Sequence, residues 1–225
     1  MENKITGCVF DLDGTLADTA PDIAIALNNS LNDAGLRQVP LESVKEMIGN
    51  GIPVLVRRAL SHIEAPEDLE AGLITSMLAY SRKYYCEKSS LMHGVKDCLE
   101  GLKKRGIPLS ICTNKDETVA QMVVSALDLN SYFYAIVGSR PNLVKKPDPS
   151  MLQIAAEAIN SPMETTMMIG DSEVDAATGI AASSISVIVR GGYCHKPYEV
   201  LNVTHLLDSI EELLDIIDNQ YLISV

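Results

Sequence analysis

The sequence predicts an α/β protein, a doubly wound parallel sheet with a small α-helical unit inserted into it. Strand-like apolar runs recur along the chain between segments of helical period, and the interval after the first run is far too long for one crossover. The first run is Gly7-Cys8-Val9-Phe10. The others are Leu109-Ser110-Ile111-Cys112, Ala135-Ile136-Val137, Met167-Met168-Ile169 and Ser186-Val187-Ile188-Val189. Apolar runs of this length, bounded by turn residues, suit strands covered on both faces.

Helical periodicity fills the gaps: Gly94 to Arg105, Thr118 to Leu127, Ser150 to Ile159, Asp175 to Ala182, and Leu207 to Ile217 near the end. Several of these begin with Asp, Ser or Thr, whose side chains cap free N–H groups. The Lys103-Lys104-Arg105 cluster reads as the end of a helix, where cations are favoured.

Roughly a hundred residues lie between Phe10 and Leu109, where a crossover needs far fewer. Pro21 to Ala34, Val44 to Ile48, Ile52 to His62 and Glu67 to Cys86 read there as helices, divided by Gly35, Pro40, the Gly49-Asn50-Gly51 turn and Pro66. The insert is therefore expected to be a helical bundle of about seventy residues. The expected division is a core of residues 1–18 and 89–225 around a helical unit of residues 19–88.

Composition narrows the setting. The chain has 225 residues, 47% of them hydrophobic, which is enough for a substantial core. No apolar stretch approaches the ~20 residues of a membrane span, and the start has no signal-peptide pattern, so a cytoplasmic protein away from membranes is expected. Cys8, Cys86, Cys98, Cys112 and Cys194 form no CxxC pair and are expected to be buried free thiols. A formal charge of −12 repels nucleic acid and anionic surfaces. An anionic substrate would thus need local cations.

Ligands of open parallel sheets sit at the carboxyl ends of the strands, so the residues there carry the functional information. The first strand ends in Phe10-Asp11-Leu12-Asp13-Gly14-Thr15-Leu16, the second in Thr113-Asn114-Lys115. After the third comes Val144-Lys145-Lys146-Pro147-Asp148-Pro149, and the fourth ends in Gly170-Asp171-Ser172-Glu173-Val174-Asp175. Taken singly, an Asp-Gly pair is a common turn, Thr-Asn opens helices, lysines before proline are surface, and Gly-Asp-Ser caps a helix. Their order, each after a strand, is the stronger signal.

These strings resemble the four motifs of the haloacid dehalogenase superfamily, from Phe10 to Asp175. The resemblance implies Asp11 as nucleophile and Asp13 as general acid and base. It implies Thr113 and Asn114 as phosphoryl-binding residues, and selects Lys146 over Lys145 as the lysine that neutralises the transferring group. It further implies Mg2+ held by Asp11, the Asp13 carbonyl and Asp171, with Asp175 orienting the metal or its waters. Asp13 points to phosphate esters, because the dehalogenases lack that aspartate and the P-type ATPases carry threonine.

The helical insert is similar to the cap of the phosphoglycolate phosphatase and β-phosphoglucomutase subgroup, and Ile48-Gly49-Asn50-Gly51 with Val54 to Leu60 resembles the former. The resemblance implies a small phosphorylated metabolite, with 2-phosphoglycolate expected, and a monomer or homodimer. Hinges are expected near Asp18 to Pro21 and Ser89 to Gly94. A sugar-phosphate mutase and an inorganic pyrophosphatase are the alternatives on this scaffold, and a receiver domain fits poorly because it is shorter and lacks the insert. Ser139-Arg140 and Ala182-Ser183 depart from the usual family pattern.

Overall fold

The structure, a computed structural model, describes residues 4–223. In chain order the elements are β1 (Lys4–Ile5), β2 (Gly7–Phe10), β3 (Ala17–Asp18), α1 (Ala20–Asp33), α2 (Leu41–Lys45), α3 (Ile52–His62), α4 (Glu70–Lys83) and β4 (Ser90–Leu91). They continue with α5 (Val95–Lys104), β5 (Leu109–Asp116), α6 (Glu117–Ala126), β6 (Phe133–Ser139), α7 (Ser150–Glu157) and β7 (Thr166–Gly170). The chain then forms α8 (Glu173–Ala181), β8 (Ile185–Val189), β9 (His205–Leu207), α9 (Glu212–Gln220) and β10 (Leu222–Ile223).

Six strands form the main sheet in the order β6-β5-β2-β7-β8-β9, every pairing parallel. Counted along the chain this is the doubly wound order 3-2-1-4-5-6. The order reverses beside β2, so the ends of β2 and β7 open onto the crevice where such folds bind ligands. All residues of β2 and β7 are buried, which explains their unbroken apolar runs.

Alternation along β2 divides the core. Cys8 and Phe10 face one layer with Val95, Leu99 and Leu102 of α5, Val123 of α6 and Leu213 of α9, whereas Val9 faces α7 through Leu152 and Ala155. The helices of the insert bury a separate cluster that includes Leu27, Leu31, Val56, Ala59, Leu73 and Met77. Tyr193, from the loop after β8, is the residue from the far part of the chain that joins that cluster.

The two connections to the insert are tied together. β3 pairs antiparallel with β4, and the buried Asp22 carboxylate accepts from Lys88 N at 3.0 Å, Ser89 N at 2.8 Å and Ser89 Oγ at 2.6 Å.

Four sequence expectations need correction, the first being the helix at Val44 to Ile48, which forms instead at Leu41–Lys45 behind Pro40. Leu207 to Ile217 is not one helix, since Leu207 ends β9 and α9 starts at Glu212. The exposed edge of β8 pairs with His205–Leu207, a tertiary contact that overrides the local helical pattern. β5 runs past Cys112 to Asp116, with a register shift against β6 across Cys112 to Asp116 that leaves Thr113–Lys115 out of the ladder. Of the cysteines, Cys8, Cys98 and Cys112 are buried thiols, but Cys86 and Cys194 are only half-buried. Among the described residues no helix is long and apolar enough to cross a membrane.

Candidate active site

Asp11 directly follows β2, and its own N–H donates to Ile169 O of β7 at 2.8 Å, which fixes the residue between the two central strands. Asp171 follows β7, and Asp175 lies in the first turn of α8. Ligand atoms of Asp11, Asp171 and Asp175 all lie within 4.8 Å of one another, and all three residues are buried. Lys146 reaches this cluster from the loop before α7, with Nζ 2.6 Å from Asp175 Oδ1 and 2.9 Å from Asp11 Oδ1.

Each carboxylate is held differently. Asp171 Oδ1 accepts from Thr15 Oγ1 at 2.7 Å and Oδ2 from Tyr193 N at 2.6 Å. Gly14 makes the close approach possible, because at its φ of 89° a Cβ would stand 2.6 Å from Asp171 Oδ2. Asp175 Oδ2 accepts from Ser172 N at 3.2 Å and Ser172 Oγ at 2.6 Å, the capping box of α8, while Oδ1 takes Lys146. Asp11 Oδ1 is buried and accepts no hydrogen bond, its contact with Lys146 being an ion pair without hydrogen-bond alignment.

Three buried carboxylates around one ammonium leave an excess of negative charge. Burial pushes the Asp11 carboxyl up to about 7, with Lys146 opposing and Asp175 and Asp13 adding to the rise. Burial, then Asp175 and Asp11, raise Asp171 well above the usual carboxylate range. Burial disfavours the charge on Lys146, but Asp11 and Asp175 outweigh it and the net direction is upward. Clustered carboxylate oxygens, one lacking any hydrogen bond, fit a hard divalent cation such as Mg2+. Asp11 Oδ1 is free of hydrogen bonds and Asp171 keeps one lone pair on each oxygen beside Thr15 and Tyr193, whereas Asp175 keeps one on Oδ1 alone because Oδ2 accepts twice from Ser172.

Asp13 points to the other side of the site. Its Oδ1 accepts from Thr19 Oγ1 at 2.6 Å and from Lys115 Nζ at 2.9 Å. Thr113 Oγ1 accepts from Lys115 N at 3.3 Å, so its hydroxyl proton stays available. The Asn114 side chain is fully engaged: Nδ2 donates to Gly49 O at 3.0 Å and Lys146 O at 3.1 Å, and Oδ1 accepts from Lys146 N at 2.9 Å. It therefore fixes the lysine loop, leaving only its main chain to face a ligand.

Asp11, Asp13, Thr113, Asn114 and Lys115 form the polar end of a cavity whose other wall is the insert, through Ile23, the Ile48–Ile52 turn, Leu55 and Met77. No local signal in the sequence assigns Lys115 its place beside Asp13 or marks Thr19 and Tyr193. Applying the strand-end rule to the fifth strand, β8, would have pointed to the loop that carries Tyr193.

Carboxylates thus stand at the switch point of a 3-2-1-4-5-6 sheet beside a buried lysine, in the order the four sequence motifs imply. The family model for haloacid dehalogenase-like hydrolases matches residues 8–189, and the chain belongs to that family. It is 35% identical over 212 residues to a phosphoglycolate phosphatase of Pseudomonas syringae pv. syringae (strain B728a), covering 92% of this chain and 77% of that protein. It is 36% identical over 213 residues to a phosphoglycolate phosphatase of Cereibacter sphaeroides, covering 94% and 97%. The crystal structure of a predicted phosphoglycolate phosphatase from Haemophilus somnus 129PT matches with a TM-score of 0.87 at 28% identity, covering 94% of this chain and 97% of that one. These relatives place the chain among the phosphoric monoester hydrolases.

Proposed function

We propose that the chain hydrolyses a small phosphate monoester, 2-phosphoglycolate first among them, with Mg2+ and through a phospho-aspartyl intermediate on Asp11. The observation that carries this reading is the Asp11 carboxylate itself, buried at the switch point, free of hydrogen bonds on Oδ1 and 2.9 Å from Lys146 Nζ. A carboxylate so placed can act as a nucleophile, kept from solvent and partly neutralised by the lysine.

In the first step an Asp11 oxygen bonds to phosphorus as the ester P–O bond breaks, and Asp13 gives its proton to the leaving alkoxide. In the second step Asp13 takes a proton from water, whose oxygen attacks phosphorus and frees inorganic phosphate, restoring Asp11. Lys146, Thr113 and the main chain of Asn114 hold the phosphoryl oxygens, and Lys146 offsets their charge. Asp11, Asp171 and the Asp13 carbonyl would hold Mg2+, with Asp175 setting Lys146 and the metal's waters. Its charge, when bound, neutralises the ester oxygens as the nucleophile approaches. Lys115 and Thr19 position Asp13. Residues 19–88 act as the cap that covers the cavity.

The relatives' names favour 2-phosphoglycolate. One feature of this chain agrees: the Lys145 ammonium stands 2.8 Å from where a Cβ on Gly51 would lie, at the start of α3, and forms no ion pair among the described residues. Burial lowers its pKa, with Asp116 opposing. An unpaired cation beside the cavity suits a leaving group that carries a carboxylate.

The test is kcat/KM with Mg2+ across 2-phosphoglycolate, hexose phosphates, nucleotides, pyrophosphate and p-nitrophenyl phosphate. Inorganic phosphate as the main product and a clear lead for 2-phosphoglycolate are expected. Return of phosphate to a sugar would replace hydrolysis with mutase chemistry.

A further inference from the structure

The loop after β8 touches the catalytic core and the helical insert at once. Tyr193 N donates to Asp171 Oδ2 at 2.6 Å, and His195 N donates to Glu173 Oε2 at 3.1 Å in the first turn of α8. The backbone of this short segment is thus pinned beside the acidic cluster. Its side chains point the other way. The Tyr193 hydroxyl donates to Asp18 Oδ1 at 2.6 Å, accepts from Thr19 N and Ala20 N, both at 3.0 Å, and its ring lies in the insert's apolar cluster. His195 Nε2 lies 2.9 Å from Ile48 O, and because that partner is a carbonyl, Nε2 is the donor.

The position of that last bond matters. Ile48 and Gly49 are neighbours in the turn that forms part of the cavity wall, and their carbonyls accept from two different parts of the core. His195 takes Ile48 O from beyond β8, and Asn114 takes Gly49 O from β5. β5 and β8 flank the central β2-β7 pair, so the two bonds span the strands that carry Asp11 and Asp171. Gly49 and Gly51 hold φ of 116° and 80°, backbone conformations that favour glycine.

We propose that His195 is a positioning residue, which seats the Ile48–Gly51 turn over the cavity and thereby fixes the wall against which the organic part of the substrate rests. The proposal builds on the phosphatase reading for its kinetic side, but the bond it invokes exists in the free protein. His195 is exposed and contributes nothing to the buried clusters, so its removal leaves the fold intact. Asn114 and Arg58 hold other atoms of the turn, Gly49 O, Met47 O and Asn50 Oδ1, and among the described residues His195 is the side chain that bonds Ile48 O.

The experiment compares wild type, His195→Ala and His195→Gln, the last retaining a side-chain donor. Hydrogen exchange at the amides of residues 49–52 is measured on the free proteins, and kcat and KM on 2-phosphoglycolate and p-nitrophenyl phosphate with Mg2+. His195→Ala is expected to exchange faster in that turn at unchanged Tm, with kcat/KM lower by about threefold to tenfold, mainly through KM. His195→Gln is expected to recover most of both. Unchanged exchange in His195→Ala, or a His195→Gln variant as impaired as His195→Ala, overturns the proposal. If wild type hydrolyses neither ester, the phosphatase reading fails while the exchange comparison still decides the role of His195.

Discussion

Lys146 and Asp175 form a buried ion pair, Nζ to Oδ1 at 2.6 Å, with side chains only 2% and 1% exposed. The same aspartate closes the capping box of α8 with its other oxygen, so one residue fixes both the lysine and the helix that follows β7. Replacing it takes from Lys146 the closer of its two carboxylate partners, leaving Asp11 at 2.9 Å, and removes a cap. Asp175→Ala is therefore expected to lower the unfolding free energy by about 3–5 kcal/mol, read as a lower urea midpoint in chelator. A variant as stable as wild type would show that Asp175 holds nothing.

Metal dependence should show in the pH profile of stability. Burial lifts Asp11 from its ordinary 3.8 to about 7 and Asp171 in the same direction. A carboxyl with a higher pKa in the folded chain favours folding while protonated. That contribution is whole below 3.8 and is lost as the pH rises to about 7. In chelator, Tm should fall across this window, and the rise in Tm on adding Mg2+ should be larger at about pH 8 than at about pH 5. An increment that shrinks with rising pH contradicts the assigned metal site.

Lys115 Nζ and Thr19 Oγ1 both donate to Asp13 Oδ1, which fixes the carboxyl for the proton transfer proposed for it. Asp13→Asn should cost about a hundredfold to ten-thousandfold in kcat on alkyl phosphate esters. On p-nitrophenyl phosphate, whose leaving group needs little protonation, the first step should suffer far less in single-turnover measurement. Equal losses on both esters would remove Asp13 from the role of acid.

Lys145 offers a way to separate substrate choice from chemistry. Lys145→Met should reduce kcat/KM for 2-phosphoglycolate by about tenfold or more and leave p-nitrophenyl phosphate nearly unchanged. A parallel loss on both would make Lys145 part of the general machinery.

The sheet and the acidic cluster were legible because local signals carried them. The all-apolar run Gly7–Phe10 predicts a doubly covered strand, and Asp11, Asp171 and Lys146 follow strands in a fixed order. Ile52–His62 was readable to the residue, since a Gly turn starts it and its apolar period is clear. What the sequence hid depends on contacts between distant segments. β9 exists because β8 has a free edge, Lys115 meets Asp13 across 102 positions, and Tyr193 meets Asp18 across 175. No periodicity encodes those pairings. Asn114 shows the converse, a motif residue with a legible place whose amide the folded chain uses to hold the Lys146 loop.

The covalent role of Asp11 can be tested directly by acid-quenching the protein during turnover of a phosphate ester with Mg2+ and mapping the digested peptides by mass spectrometry. The expected result is a single phosphoryl group on the peptide containing Asp11, present in wild type, enriched in Asp13→Asn and absent from Asp11→Asn, which should also release no phosphate. Steady phosphate release by Asp11→Asn, or a phosphoryl group on another residue, would contradict the assignment.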